Sequence, residues 1–116
     1  MEILEKHISN LRMPEEFPMM RITDTSLSFN NLAKHHLELE KSSEILFAVE
    51  NGKAYVSNVT NHEKQGYKVY SDKDKVLRVA KGQAVERTNL SNGTYRISLD
   101  ATWDAKNKID WFEIIP

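Results

Sequence analysis

Cations crowd one stretch of this 116-residue chain. Between positions 62 and 87 stand Lys64, Lys68, Lys73, Lys75, Arg78, Lys81 and Arg87 against Glu63, Asp72, Asp74 and Glu86, an excess of three positive charges in a chain whose formal net charge is −1. Cations that converge on one surface neutralise phosphates and release counterions, so a local patch gives nucleic-acid affinity even to a nearly neutral chain. Tyr67 and Tyr70 stand among these lysines, and aromatic rings on a strand surface can stack unpaired bases. The same residues have a second reading. Lysines along an exposed strand pair keep sheet edges from aggregating, and strand tyrosines commonly serve packing.

Other chemistries have little material to work with. The chain has no cysteine, which excludes disulfide staples, thiol nucleophiles and Cys-ligated zinc. Its four glycines form no phosphate-cradling loop, and neither a Gly-x-Ser-x-Gly elbow nor a His-Glu-x-x-His motif occurs. His35 and His36 are adjacent, so on a helix their side chains diverge by about 100°. A shared metal would need His7 or His62 beside one of them. Asp100, Asp104 and Asp110 read as turn and strand-rim residues rather than as a catalytic pair. The expectation is a non-enzymatic protein with no cofactor or metal. Trp103 sits in an otherwise polar connection, 101–108, and is the candidate partner-binding residue, because exposed tryptophan marks interaction hot spots. Trp111 has apolar neighbours and is expected to be buried.

The elements that must carry these residues begin with the stretch from Ser26 to Val59. Leu27 and Phe29 alternate with serines as in a half-buried strand. Asn30 or Asn31 can then cap a helix near Leu32 to Leu39, whose Leu32, Ala33, His36, Leu37 and Leu39 fall roughly on one side. Ile45, Phe47 and Val49 alternate up to Asn51-Gly52, a pair suited to a type I′ turn. That turn sets Val49 opposite Ala54 and Phe47 opposite Val56, with Glu50 and Lys53 as an ion pair at the tip.

Outside that stretch the pattern is mostly β. Leu4, His7, Ile8 and Leu11 have helical spacing over 1–13, and Pro14 and Pro18 stop regular structure, leaving Glu15 to Met20 as a surface crossing. Tyr67 and Val69 face the run Val76 to Val79 across a turn-like 71–75, as a hairpin would. Tyr95, Ile97 and Leu99 alternate with polar residues, and Ile109 to Ile115 is apolar on both sides, as a central or inter-subunit strand is. The second half echoes the first: Ser28-Phe29, Ala33, Leu39 and Ile45 lie over Arg78-Val79, Ala84, Leu90 and Tyr95. The echo fits a duplication, and it equally fits a looped-out connection around a weak helix at 83–90.

The expected fold is α+β, a mainly antiparallel sheet or small β-barrel with one short helix and two halves that a repeat would relate. It forms a single domain over 1–116, with an N-terminal helix at 1–13, a strand-helix-hairpin half at 20–60 and a β-rich half at 66–116. No apolar run approaches the ~18 residues of a membrane span. Glu2 and Glu5 stand where a signal peptide is basic, so the expected setting is cytoplasmic, without membrane.

The strand, the short helix ending in Leu37-Glu38-Leu39 and the following hairpin resemble the unit of the AbrB/MazE type of swapped-hairpin and cradle-loop DNA-binding proteins. Members often carry Lys-Gly-Gln near the first strand, and Lys81-Gly82-Gln83 occurs here in the second half. The resemblance covers Ser26 to Val59 and implies DNA binding, usually as a dimer. The chain therefore reads as a nucleic-acid-binding or accessory protein that contacts DNA or RNA through 62–87, and possible self-association makes a homodimer the accompanying expectation. The alternative is an interaction or structural module built on the terminal helix, Trp103 and the last strand.

Overall fold

The computed structural model describes residues 16–71, 76–80 and 82–116. The helix expected over 1–13 lies outside them. Among the described residues, nine strands and two short helices follow in the order β1 (Met19–Ile22), β2 (Ser26–Phe29), α1 (Asn31–His36), β3 (Glu44–Glu50), β4 (Lys53–Asn58), β5 (Tyr67–Lys68), β6 (Tyr70–Ser71), β7 (Leu77–Ala80), α2 (Gln83–Arg87), β8 (Gly93–Asp104) and β9 (Ile109–Ile115). Every ladder is antiparallel.

The strands form one sheet in the order β5-β3-β4-β9-β8-β1-β2-β7-β6. Its two ends, β5 and β6, are separated in sequence by Val69 alone. The Val69 N–H donates to Ser43 O at 2.8 Å, and Val69 O accepts from Ser42 N–H at 2.9 Å. One short run of chain thus belongs to both ends of the sheet, which curls into a nearly closed barrel. Closure satisfies backbone groups that an open edge would leave to solvent.

Period-two alternation fills the interior. Met20, Ile22, Leu27, Phe29, Ile45, Val56, Val79, Ile97 and Ile114 are buried together, and Ala33, Leu37, Leu39 and Val85 pack into them from the helical segments. A smaller cluster of Val59, Ile109 and Trp111 gathers Leu46, Ala48 and Tyr55. The last strand therefore buries side chains on both faces, as its composition predicts, and it lies centrally, between β4 and β8.

The β3–β4 register is the expected one, including Phe47↔Val56 and Val49↔Ala54, around Asn51 and Gly52 at φ 53 and 77°. The ion pair differs. Lys53 Nζ reaches Glu113 Oε1 on β9 at 3.5 Å, because β4 is a central strand with a carboxylate on its other side. The helix is shorter than the pattern suggests. Asn30 caps it, its side chain accepting from Ala33 N–H at 2.9 Å, but Glu38 adopts φ 54°. Leu39 N–H then bonds Lys34 O at 2.8 Å and Glu38 N–H bonds His35 O at 3.2 Å, the paired bonds of a Schellman termination. Leu32 consequently lies exposed while Leu37 and Leu39 are buried.

Three further expectations are corrected. Met19 and Met20, read as the end of a surface crossing, instead open β1, which is tied to β2 and β8. Strand β2 is buried at all four positions rather than on one face. Leu99 is 67% exposed because a bulge between Ile97 and Ala101 breaks the β8 alternation. Beyond that bulge the supposed connection continues as strand to Asp104.

Candidate functional site

The residues flagged for nucleic-acid contact are only partly described. Lys73, Lys75 and Lys81 lie outside the described residues. Lys64 is exposed in the 60–66 loop, where its N–H donates to His62 Nδ1 at 3.1 Å, and Arg87 is exposed at the end of α2. Tyr67 is half-buried. It packs against the barrel core with its ring 6.5 Å from that of Phe47. Lys68 and Tyr70 are exposed.

Arg78 and Tyr70 do come together, with partners from elsewhere in the chain. The registers set Thr94 opposite Arg21, Arg21 opposite Ser28, Ser28 opposite Arg78 and Arg78 opposite Tyr70. These five residues form one row across β8, β1, β2, β7 and β6. Their strand neighbours Met20, Leu27, Val79 and Tyr95 point into the core, so the row lies on the opposite face, with Thr94 and Tyr70 exposed, Arg21 and Arg78 half-buried and Ser28 between them buried. Arg21 and Arg78 are two strand spacings apart, about 10 Å, close to the Debye length at ordinary ionic strength.

The row has local supports. Arg21 Nε donates to Thr94 Oγ1 at 3.2 Å, and Arg78 Nη1 donates to Ser26 Oγ at 3.4 Å. Along β8, Arg96 lies two residues past Thr94, its guanidinium 3.6 Å above the Phe17 ring, a stacked arrangement that arginine favours. Lys68 lies two residues before Tyr70 on the same outward alternation. Arg21 and Arg96 had no sequence signal of their own. Their place in the site depends on β1 lying between β8 and β2.

A second region surrounds Trp103, which is 60% exposed. A groove of about 440 Å³ on one side is lined by Val49, Tyr55, Trp103 and Trp111, and another of about 440 Å³ by His36, His62, Trp103 and Phe112. The two histidines share that second groove without sharing a ligand. His36 Nε2 bonds Ser98 O at 2.9 Å and its ring meets Phe112 edge-on at 4.6 Å. His62 Nε2 bonds Asn107 O at 3.0 Å.

Asp104 organises the hairpin tip beside these grooves. Its Oδ1 accepts from the N–H groups of Lys106 at 3.1 Å and Asn107 at 3.2 Å, and its Oδ2 accepts from Asn107 Nδ2 at 2.7 Å and Trp111 Nε1 at 3.2 Å. The Asn107 side chain and then the Trp111 indole hold this carboxyl below its ordinary 3.8. A depressed carboxylate contributes stability that is fully present above its unfolded-state value and is lost as pH falls through the folded one. In an acid titration followed by NMR, the Trp111 indole N–H signal is expected to report a carboxyl transition whose midpoint lies below the ordinary aspartate value. The substitution Asp104→Asn should remove that acid transition, and an unchanged titration would refute the role.

Among the described residues no helix is long and apolar enough to cross a membrane. Comparison with protein families, with curated proteins and with solved structures finds no match to this chain.

Proposed function

We propose that the protein is a non-enzymatic nucleic-acid-binding protein whose contact surface is built from the outward side chains of β8, β1, β7 and β6, on either side of the buried Ser28 of β2. The observation that carries this reading is the register row that brings Arg21 and Arg78 alongside Tyr70, extended by Arg96 and Lys68. Cations on a sheet face supply the sequence-independent part of the affinity, and the exposed tyrosine offers a stacking surface to unpaired bases. Glu44, opposite Lys68 on β3, tempers the charge at one end, so the arginines are the centre of the site.

The order of elements supports a finer reading of the fold as two repeated halves. Strand, strand, helix and hairpin occur as β1-β2-α1-β3-β4 and again as β6-β7-α2-β8-β9, and β2 and β7 pair antiparallel with Leu27 opposite Val79. That arrangement agrees with the resemblance to swapped-hairpin and cradle-loop DNA-binding proteins. On this reading the contact surface straddles the junction of the halves, in an intracellular setting.

The test is titration with single- and double-stranded oligonucleotides at low and moderate salt. Binding should weaken steeply with salt, and Arg21→Gln with Arg78→Gln should reduce the logarithmic salt slope by about 2, or about 1 per phosphate contact. Tyr70→Leu should lower affinity for single strands by about 1–3 kcal/mol and leave duplex binding nearly unchanged. Absence of binding to either form at low salt would refute the proposal.

A further inference from the structure

His62, half-buried, holds two loops at once. Its Nε2 lies 3.0 Å from Asn107 O in the turn between β8 and β9, and its Nδ1 accepts from the Lys64 N–H at 3.1 Å within its own loop, 60–66. A carbonyl oxygen only accepts, so Nε2 carries a proton, and a backbone N–H only donates, so Nδ1 carries none. The two bonds together select one neutral tautomer. A second proton has to enter at Nδ1, the atom that the Lys64 N–H already occupies.

Other bonds fix both ends of this bridge. Asn107 is held by Asp104, which accepts from its backbone N–H at 3.2 Å and from its side-chain amide at 2.7 Å. On the other side, the His62 N–H donates to the O of buried Val59 at 2.9 Å, and the loop ends where the Gly66 N–H meets Glu44 Oε1 at 3.1 Å. The Lys64 bond lies midway between these two anchors. Around the ring, His36 of α1, Glu38 just after it, Lys108 of the β8–β9 turn and Asp110 of β9 line the same groove, and Glu63 and Lys64 adjoin His62 in the chain. Charges of both signs are therefore close by.

We propose that His62 is a proton-operated latch on the 60–66 loop. A proton on Nδ1 faces the Lys64 N–H donor to donor, so the middle of the loop is released. The Nε2–H then belongs to a cation, and its bond to Asn107 O becomes charge-assisted and stronger. Protonation thus transfers the hold of His62 from its own loop to the neighbouring turn. Strand β5 stays joined to β3 through Glu44↔Lys68 and Ile45↔Tyr67, which confines the release to the loop. No residue of the arginine row takes part, so the latch and the nucleic-acid reading can fail separately.

NMR of the full chain from about pH 8 to pH 5, the interval in which imidazole changes charge, tests the latch. Asp104, held below its ordinary 3.8, stays ionised throughout and keeps Asn107 in place. At the upper end the His62 ring nitrogens should show a protonated Nε2 and a bare Nδ1. As the ring takes its second proton, the Lys64 amide should lose about fivefold in hydrogen-exchange protection, measured against the intrinsic rate at each pH, the loss of one ordinary hydrogen bond. The His62 amide, bonded to Val59 O, should keep its protection. Two variants separate the arms. His62→Gln offers an amide near the Nε2 position and no acceptor near Nδ1, so Lys64 should be unprotected at every pH. His62→Asn keeps an acceptor near Nδ1, so Lys64 should stay protected across the whole range. A proton on Nδ1 at the upper end, Lys64 protection that does not follow the His62 ring titration in the unmodified chain, or a pH response of Lys64 that survives in both variants would each overturn the proposal.

Discussion

Gly66→Ala is expected to destabilise the protein by about 2–3 kcal/mol, as overpacking of a closed core does. A Cβ at position 66 would lie 2.6 Å from Ile45 O and 2.8 Å from Val59 Cγ2. Neither neighbour is a flexible tip. Ile45 O is backbone in the β3 strand that pairs with β5, and Val59 is buried. Gly66 also donates its N–H to Glu44 Oε1 at 3.1 Å, so moving its backbone away costs a further contact. The strain falls at the seam where Tyr67 to Ser71 closes the barrel. Urea denaturation measures the loss, and hydrogen exchange at the Val69 amide locates it, because that N–H is bonded to Ser43 O. A change below about 0.5 kcal/mol, the level of an ordinary surface substitution, would show that the seam has slack.

This seam illustrates which parts of the molecule are legible in the sequence. Local chemistry is. Asn51-Gly52 specifies a turn, the turn specifies the β3–β4 register, and the two-sided apolar run at Ile109 to Ile115 specifies a strand with neighbours on both sides. Asn30 or Asn31 reads as a cap because a short side-chain oxygen precedes an apolar helical face, and Asn30 is the one that caps. Features that depend on distant pairing are not legible. Nothing in Met19-Met20-Arg21-Ile22 alternates clearly, and Pro18 before it argues against regular structure, yet β2 and β8 make it a strand. The bulge after Ile97 interrupts the inside-outside pattern, so Leu99 resembles a core residue and is not one. Glu38 ends α1 in a conformation usually given to glycine, which helix spacing does not reveal.

The arginine row is lost to sequence reading for the same reason. Charge density along the chain points to 62–87, but a binding surface is assembled across strands. The row takes Arg78 and Tyr70 from the basic segment and Arg21 from a strand that shows no excess of cations. Tyr67, adjacent to Lys68 in sequence, points the other way and packs inside. Alternation on a strand separates neighbours, and cross-strand register joins strangers.

The residue that links β1 to this surface is Asn30, and Asn30→Ala is expected to cost about 2–4 kcal/mol, combining a lost helix cap with unsatisfied buried backbone groups. Its Oδ1 accepts from Ala33 N–H at 2.9 Å and from Met19 N–H at 3.0 Å, while Nδ2 donates to Phe17 O at 2.6 Å. One buried amide therefore starts α1 and fixes the entry to β1. Asn30→Asp separates the two tasks. A carboxylate still accepts both N–H bonds and is a good cap, but it cannot donate to Phe17 O and places negative charge beside that carbonyl. Its cost should be smaller, about 1–2 kcal/mol, and concentrated at Phe17. Because the Phe17 ring lies under Arg96, its release should loosen Arg96 while the ladders that place Arg21 and Arg78 either side of Ser28 stay intact. In oligonucleotide titrations, Asn30→Asp should therefore weaken binding less than Arg21→Gln with Arg78→Gln does. Thermal and urea denaturation of the two Asn30 variants measure the stability terms. Equal losses for Ala and Asp would show that the Phe17 bond carries the whole effect and that the cap contributes nothing.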